Sequence, residues 1–235
     1  MPELALKCIA SWKKYLPDYE IKEWNEDNFD VNIIPYTSEA YKAKKYAFVS
    51  DYARFWILYK YGGLYFDTDV EVIRPMDDII ARGPFMGCEK EAGNGATHLG
   101  VNPGLGLGVN PGLGLYKELL SIYNDLHFLN ESGAIIENET IVEHTTNLLI
   151  IHGLKDTFDI QLICGVFIYP KNFFCPKDYL SGKLFITNET CSVHHYSASW
   201  SPWYSKIEKY VFNLLGLRYR ALIKGKIVIP LKKCL

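Results

Sequence analysis

Several features that would assign a chain at once are missing from this sequence. No apolar run is long enough to span a bilayer, since even Tyr210 to Leu217 is short and ends at Arg218. The opening Met1-Pro2-Glu3-Leu4 lacks the basic and then apolar start of a secretory leader, so membrane contact is expected to be peripheral. The six cysteines, Cys8, Cys88, Cys164, Cys175, Cys191 and Cys234, form no C-x-x-C pair and no zinc-like spacing. That pattern suits a reducing cytosol, where the N-x-S/T sequons at Asn130, Asn138 and Asn188 carry no meaning. There is no excess of positive charge either: 25 Lys and Arg against 27 Asp and Glu give a net charge of -2 and argue against general nucleic-acid binding.

What remains is a chain of 235 residues, enough for one domain with a full core, of which 14% are aromatic. The charge is unevenly spread. From Ser205 onward Glu208 faces Lys206, Lys209, Arg218, Arg220, Lys224, Lys226, Lys232 and Lys233. The expected organisation is therefore a domain over residues 1–204 and a basic helical tail over 205–235, with Ile207, Tyr210, Val211 and Leu214 on one side of the tail's helix. Such a tail could rest on an anionic membrane surface or pack on the domain.

Hydrophobic spacing predicts a helix from Pro2 to Tyr15, a strand-like stretch from Tyr19 to Trp24, and a second helix from about Ser38 to Lys60, stopped by Gly62-Gly63. Leu64-Tyr65-Phe66 reads as a buried strand and Val70 to Ile73 as another, with Asp67-Thr68-Asp69 in the turn between them. The octapeptide Gly-Val-Asn-Pro-Gly-Leu-Gly-Leu occurs twice in tandem from Gly100 to Leu115. It lacks the Lys-Ser/Thr ending of a phosphate loop and reads as a structural loop leading into a helix from Tyr116 to Asp125. Gln161 to Tyr169 and Leu184 to Thr187 have strand character.

Two carboxylates one residue apart can converge on a hard cation if the chain turns between them, and oxygen ligands suit Mg2+ or Mn2+. The tripeptide alone is common. Its context is less so, because the approach through Leu64 and Phe66 is apolar, and unpaired carboxylates there need a cation or hydrogen bonds. Asp51 and Arg54 share a helix face just upstream, as a local ion pair or as sugar-hydroxyl and donor-oxygen contacts. Near the other end, Val193-His194-His195-Tyr196-Ser197-Ala198-Ser199-Trp200 gathers two histidines whose side chains point to opposite faces if the segment is extended, so one of them can join a metal site.

With those pieces in place, the stretch from Ser50-Asp51 through Arg54 and Gly62-Gly63 to Asp67-Thr68-Asp69-Val70 resembles the glycosyltransferases with a D-x-D sugar-binding region. That family includes yeast-type initiating mannosyltransferases and bacterial capsular and lipopolysaccharide sugar transferases, and more distantly the glucosylating clostridial toxins. The segment His194 to Trp200 is similar to the family's C-terminal H-x-x-x-x-S-W element. The resemblance covers Pro2 to about Trp203. It implies an α/β fold of GT-A type, Rossmann-like, with one mixed central sheet flanked by helices, and a chain that starts just after the family's usual first strand. It implies Asp67 at the donor ribose or metal, Asp69 as principal metal ligand and His194 completing the metal shell. Ser50, Asp51 and Arg54 would hold the donor sugar, and Ser199 and Trp200 would touch the diphosphate. The expected activity is transfer of a sugar, with retention, from a nucleotide-diphosphate donor to a glycan or lipid-linked acceptor in polysaccharide biosynthesis, with Mn2+ or Mg2+. A non-catalytic sugar-nucleotide or glycan-binding protein is the alternative, and a two-metal polymerase-like acidic turn a remote third reading.

Overall fold

The computed structural model describes residues 1–90, 99–136, 139–179 and 181–197. Ser199, Trp200 and the basic tail of residues 205–235 lie outside them.

The first helix, α1 (Glu3–Tyr15), buries Ala5 and Cys8 and ends with Lys13 and Lys14 in its last turn, where cations complement the helix dipole. The predicted strand from Tyr19 to Trp24 does not form; Trp24 instead packs its ring on Tyr61 at 5.3 Å. The single helix expected from Ser38 to Lys60 is two helices, α2 (Pro35–Lys42) and α3 (Tyr46–Tyr61). Between them Lys44 takes a left-handed φ of 57°. Its N–H bonds to Tyr41 O at 2.9 Å and that of Lys45 to Ala40 O at 2.9 Å, the two reverse bonds of a Schellman stop. Glycine usually occupies that left-handed position, and a lysine there hid the break from sequence reading. Gly62, with φ 69°, ends α3 as expected.

The chain continues through β1 (Gly63–Tyr65), β2 (Val70–Val72), α4 (Asp77–Arg82), β3 (Phe85–Cys88), β4 (Val101–Asn102), β5 (Leu107–Val109) and α5 (Gly114–Ile122), which runs into a 3-10 turn at Tyr123–Asp125. It then forms α6 (Ile141–Ile151), β6 (Gln161–Ile163), β7 (Val166–Tyr169), α7 (Lys171–Phe174) and β8 (Ser192–His194). The main sheet has the order β1-β5-β3-β7-β6, with β4 paired to β3. β1 and β3 are each antiparallel to β5, and β3 is parallel to β7. Consequently β1, β3 and β7 run the same way and present their carboxyl ends on one edge of the sheet, where open α/β sheets bind ligands. The fold is a mixed α/β sheet flanked by helices, consistent with the GT-A type. Leu184 to Thr187 makes no strand, only a bridge from Leu184 to Lys177.

One apolar cluster lies between the sheet and α3, α5 and α6, built on Phe55, Leu58, Met86, Val101, Leu107, Tyr116 and Ile168. A second, around Phe66, Val70, Phe85, Tyr169 and Phe174, binds the main sheet to a separate two-stranded ribbon of β2 and β8. α1 braces that ribbon: Trp12 Nε1 donates to Val70 O at 2.8 Å, and Val72 N donates to Ser11 Oγ at 3.0 Å. These two bonds and the stacking of Trp12 on Phe66 at 5.8 Å fix the ribbon beside the end of β1.

Candidate active site

The step from β1 to β2 is a tight turn in which Val70 N donates to Asp67 O at 2.9 Å. Closing the chain over four residues turns Asp67 and Asp69 toward a common side. β8, paired with β2 in the register Val70 with His194, then brings in the imidazole. Ligand atoms of Asp67, Asp69 and His194 all lie within 4.8 Å of one another.

Asp69 is nearly buried and fully engaged. His194 Nε2 stands 3.3 Å from Oδ1, and Ser197 N donates to Oδ2 at 2.7 Å. Burial pushes the Asp69 carboxyl up, but the hydrogen bonds from His194 and Ser197 outweigh it and hold it down at about 2. For His194, burial pushes the imidazole down, while the Asp69 contact and the neighbouring Cys175 thiol raise it to about 10. Among the described residues no group lies in hydrogen-bonding geometry to the buried His194 Nδ1, and the ring packs 4.3 Å from that of Tyr196. His195 points the other way, as expected from an extended backbone: its Nε2 meets Glu71 Oε2 at 2.8 Å, and Lys7 Nζ reaches the same oxygen at 2.8 Å.

α3 supplies the cationic side. Arg54 is buried, with one guanidinium nitrogen 2.8 Å from Asp51 Oδ1 and another 3.2 Å from Asp67 Oδ1, and its plane lies 4.8 Å over the Tyr65 ring. It also donates to Ser50 O at 3.2 Å. The pair at positions 51 and 54 is therefore more than a local ion pair, because the same guanidinium ties α3 to the acidic turn. Burial raises the Asp51 carboxyl to about 6, against the pull of Arg54 and with the help of the charge on Asp67.

The structure thus gathers Ser50, Asp51, Arg54, Asp67, Asp69 and His194 into one constellation. It also adds residues that sequence reading passed over. Tyr65 donates its hydroxyl to Asp67 Oδ1 at 2.8 Å. Asp67 N donates to Gly104 O at 3.0 Å, Gly104 N to Asn102 Oδ1 at 2.7 Å, and Asn102 Nδ2 to Glu89 Oε2 at 2.9 Å. A Cβ on Gly104 would stand 2.2 Å from Asp67 Oδ2, so any larger residue there must displace the Asp67 carboxylate. The first copy of the tandem octapeptide is the wall of the site. The run of glycines was a visible signal, but nothing in the sequence said which copy faced Asp67.

A family model described as a glycosyltransferase sugar-binding region containing a DXD motif matches residues 2–86, which contain α3 and the whole acidic turn. Over this region the chain is similar to the DXD glycosyltransferases, a likeness that two relatives extend. The chain is 27% identical over 204 residues to an uncharacterized glycosyltransferase of Acanthamoeba polyphaga mimivirus, an alignment covering 85% of the chain and 75% of that protein. It is 32% identical over 69 residues to inositol phosphoceramide mannosyltransferase 1 of Schizosaccharomyces pombe, covering 29% of the chain and 20% of the relative. No solved structure matches the chain. No helix among its described residues is long and apolar enough to cross a membrane.

Proposed function

We propose that this protein is a metal-dependent glycosyltransferase that moves a sugar from a nucleotide-diphosphate donor to a glycan or lipid-linked acceptor, with retention, in polysaccharide biosynthesis. The observation that carries the reading is the convergence of Asp67, Asp69 and His194 at the carboxyl end of β1. The donor set fits the expected ion: two carboxylates suit a hard divalent cation, and the added imidazole favours Mn2+ over Mg2+. A cation held by Asp67, Asp69 and His194 supplies charge neutralisation for the diphosphate leaving group.

The chain's own residues do the rest. Tyr65 and Arg54 engage Asp67 Oδ1 and so fix its carboxylate. Ser197 N and the ring of His194 fix Asp69. Asp51 accepts from sugar hydroxyls and Arg54 steadies donor oxygens, with Ser50 beside them; Ser199 and Trp200, outside the described residues, contribute to the diphosphate side. In the transfer the acceptor oxygen bonds to the anomeric carbon as its bond to the phosphate oxygen breaks. The hydroxyl proton leaves with the nucleoside diphosphate. Attack on the face the leaving group vacates accounts for retention, and the anomeric configuration of the product by NMR decides that point.

The direct test is a panel of nucleotide sugars assayed for hydrolysis and transfer with Mn2+, with Mg2+ and with a chelator. The expected result is activity with one donor, lost on chelation and lost in Asp69→Asn with the folded secondary structure retained by circular dichroism. An active Asp69→Asn enzyme sinks the metal role. We place the protein in the cytoplasm, at the inner face of a membrane through peripheral contact; fractionation of cells expressing the full chain tests this.

A further inference from the structure

Among the described residues, three that are not glycine take a left-handed backbone: Lys44, Cys164 and Tyr196, with φ of 57°, 48° and 55°. The first two close turns. Lys44 stops α2, and Cys164 with Gly165 is the two-residue loop between the paired Ile163 and Val166, a hairpin that needs positive φ at both positions. Tyr196, two residues beyond the end of β8, has a different setting. A bulky residue in that conformation is strained, so its surroundings must over-determine it, and such outliers gather at functional sites.

The pairing of β8 with β2 runs as far as His194 with Val70, and one residue further His195 N donates to Asp69 O at 2.9 Å. An extended chain would then carry Ser197 about 7 Å further along the ribbon. The left-handed turn at Tyr196 folds it back instead, and Ser197 N donates to Asp69 Oδ2 at 2.7 Å. One short segment thus grips Asp69 twice, at its carbonyl and at its carboxylate, and leaves Oδ1 on the side of His194.

The turn is held by the stretch that follows α7, which sends alternate residues to it with the period of an extended chain. Cys175 Sγ lies 2.9 Å from Tyr196 Oη, Lys177 Nζ donates to His195 O at 2.9 Å, and the Tyr179 ring packs edge-on to that of Tyr196 at 5.0 Å. Cys175 is fully buried. On its other side the Tyr196 ring lies 4.3 Å from the His194 ring, so one residue serves Asp69 through its backbone and His194 through its side chain.

We propose that Tyr196 is a positioning residue of the metal centre, clamped by Cys175, Lys177 and Tyr179 so that the Ser197 N–H orients the Asp69 carboxylate for the cation. The proposal rests on the metal-dependent reading above and adds to it the residues that set the affinity of the site.

The test is calorimetric titration of the full chain with Mn2+ in the absence of donor, together with hydrogen exchange at the Ser197 amide followed by NMR. Tyr196→Phe keeps the ring and removes the hydroxyl that meets Cys175. Mn2+ should bind about threefold to fivefold more weakly, and the amide should exchange faster by a similar factor, the worth of one hydrogen bond. Glycine accepts a φ of 55° without strain, so Tyr196→Gly reads the ring apart from the backbone. It should weaken Mn2+ binding by about tenfold or more, as the loss of outer-shell partners does at metal sites. Cys175→Ala should match Tyr196→Phe, and the two together should cost no more than either alone. Tyr169→Phe removes a buried hydroxyl from the same apolar cluster and is the control, with Mn2+ binding expected to be unchanged. Wild-type affinity in Tyr196→Gly overturns the clamp. Additive losses in the Tyr196→Phe and Cys175→Ala pair overturn it too, by showing that the thiol acts on His194 directly. If the wild type binds no Mn2+, the metal reading fails, while exchange at Ser197 still reports on the turn: an amide equally protected in Tyr196→Phe, or unprotected in the wild type, overturns the role of Tyr196.

Discussion

Replacing Gly104 with alanine separates the positioning of Asp67 from the stability of the fold. The new Cβ would stand 2.2 Å from Asp67 Oδ2, 2.8 Å from its Cγ and 3.0 Å from Asn102 Oδ1. For ordinary contact the carboxylate must retreat by about 1 Å, and a misplacement of that size in a reacting array costs on the order of 10²-fold in rate, or about 2.7 kcal/mol of transition-state stabilisation. Stability should respond far less. The atom that must move is the end of a side chain, the hydrogen bond from Tyr65 is worth about 1 kcal/mol, and the stiffer unfolded chain returns about 0.4–1 kcal/mol. Chemical denaturation should therefore show a change within about 1 kcal/mol, while kcat/KM for metal-dependent hydrolysis falls by about two orders of magnitude. Gly114→Ala is the control, because a Cβ there meets nothing within 4 Å; it should leave kcat/KM unchanged and raise stability by about 0.4–1 kcal/mol. Wild-type kcat/KM in Gly104→Ala would refute the assignment of the first octapeptide to the wall of the site.

Tyr65→Phe removes the hydroxyl that donates to Asp67 Oδ1 and should lower kcat/KM by roughly tenfold, with about 1 kcal/mol or less lost in denaturation. Burial raises the Asp51 carboxyl in the folded protein to about 6, from an ordinary value of 3.8. A carboxyl raised by folding favours the folded state at low pH, so wild-type stability relative to Asp51→Asn should fall by on the order of 2–3 kcal/mol as pH rises from below 4 to above 6. In activity, donor KM should rise as pH drops through about 6, and Asp51→Asn should flatten that rise; an inflection that persists in the variant assigns it to another group. Phe55→Ala opens a cavity in the cluster between α3 and the sheet, where Phe55 is fully buried against Tyr116, and should cost about 3–5 kcal/mol on denaturation.

Much of the site could be read from the sequence because its parts are local. Asp51 and Arg54 are one helical turn apart, the Gly62-Gly63 stop lies between that helix and the acidic tripeptide, and helix-to-strand steps of this kind have few geometries. Alternation showed that only one of His194 and His195 could join the acidic pair, since an extended segment must send them to opposite faces; the likeness to the H-x-x-x-x-S-W element picked His194. The break at Lys44 was not, because a left-handed lysine leaves no compositional mark. Nor was the role of Arg54 as the tie between α3 and Asp67, which depends on how a helix and a turn pack.

The tandem octapeptide shows where the division falls. Its two copies are identical in sequence, yet Asn102 and Gly104 are buried against Asp67, while Asn110 and Gly112 are exposed between β5 and α5. Composition and spacing determined that both copies turn and that neither is a phosphate loop of the P-loop type. Which copy closes on the acidic turn was decided by the antiparallel pairing of β1 with β5 and of β3 with β4, contacts between segments far apart in the chain whose register no local propensity specifies.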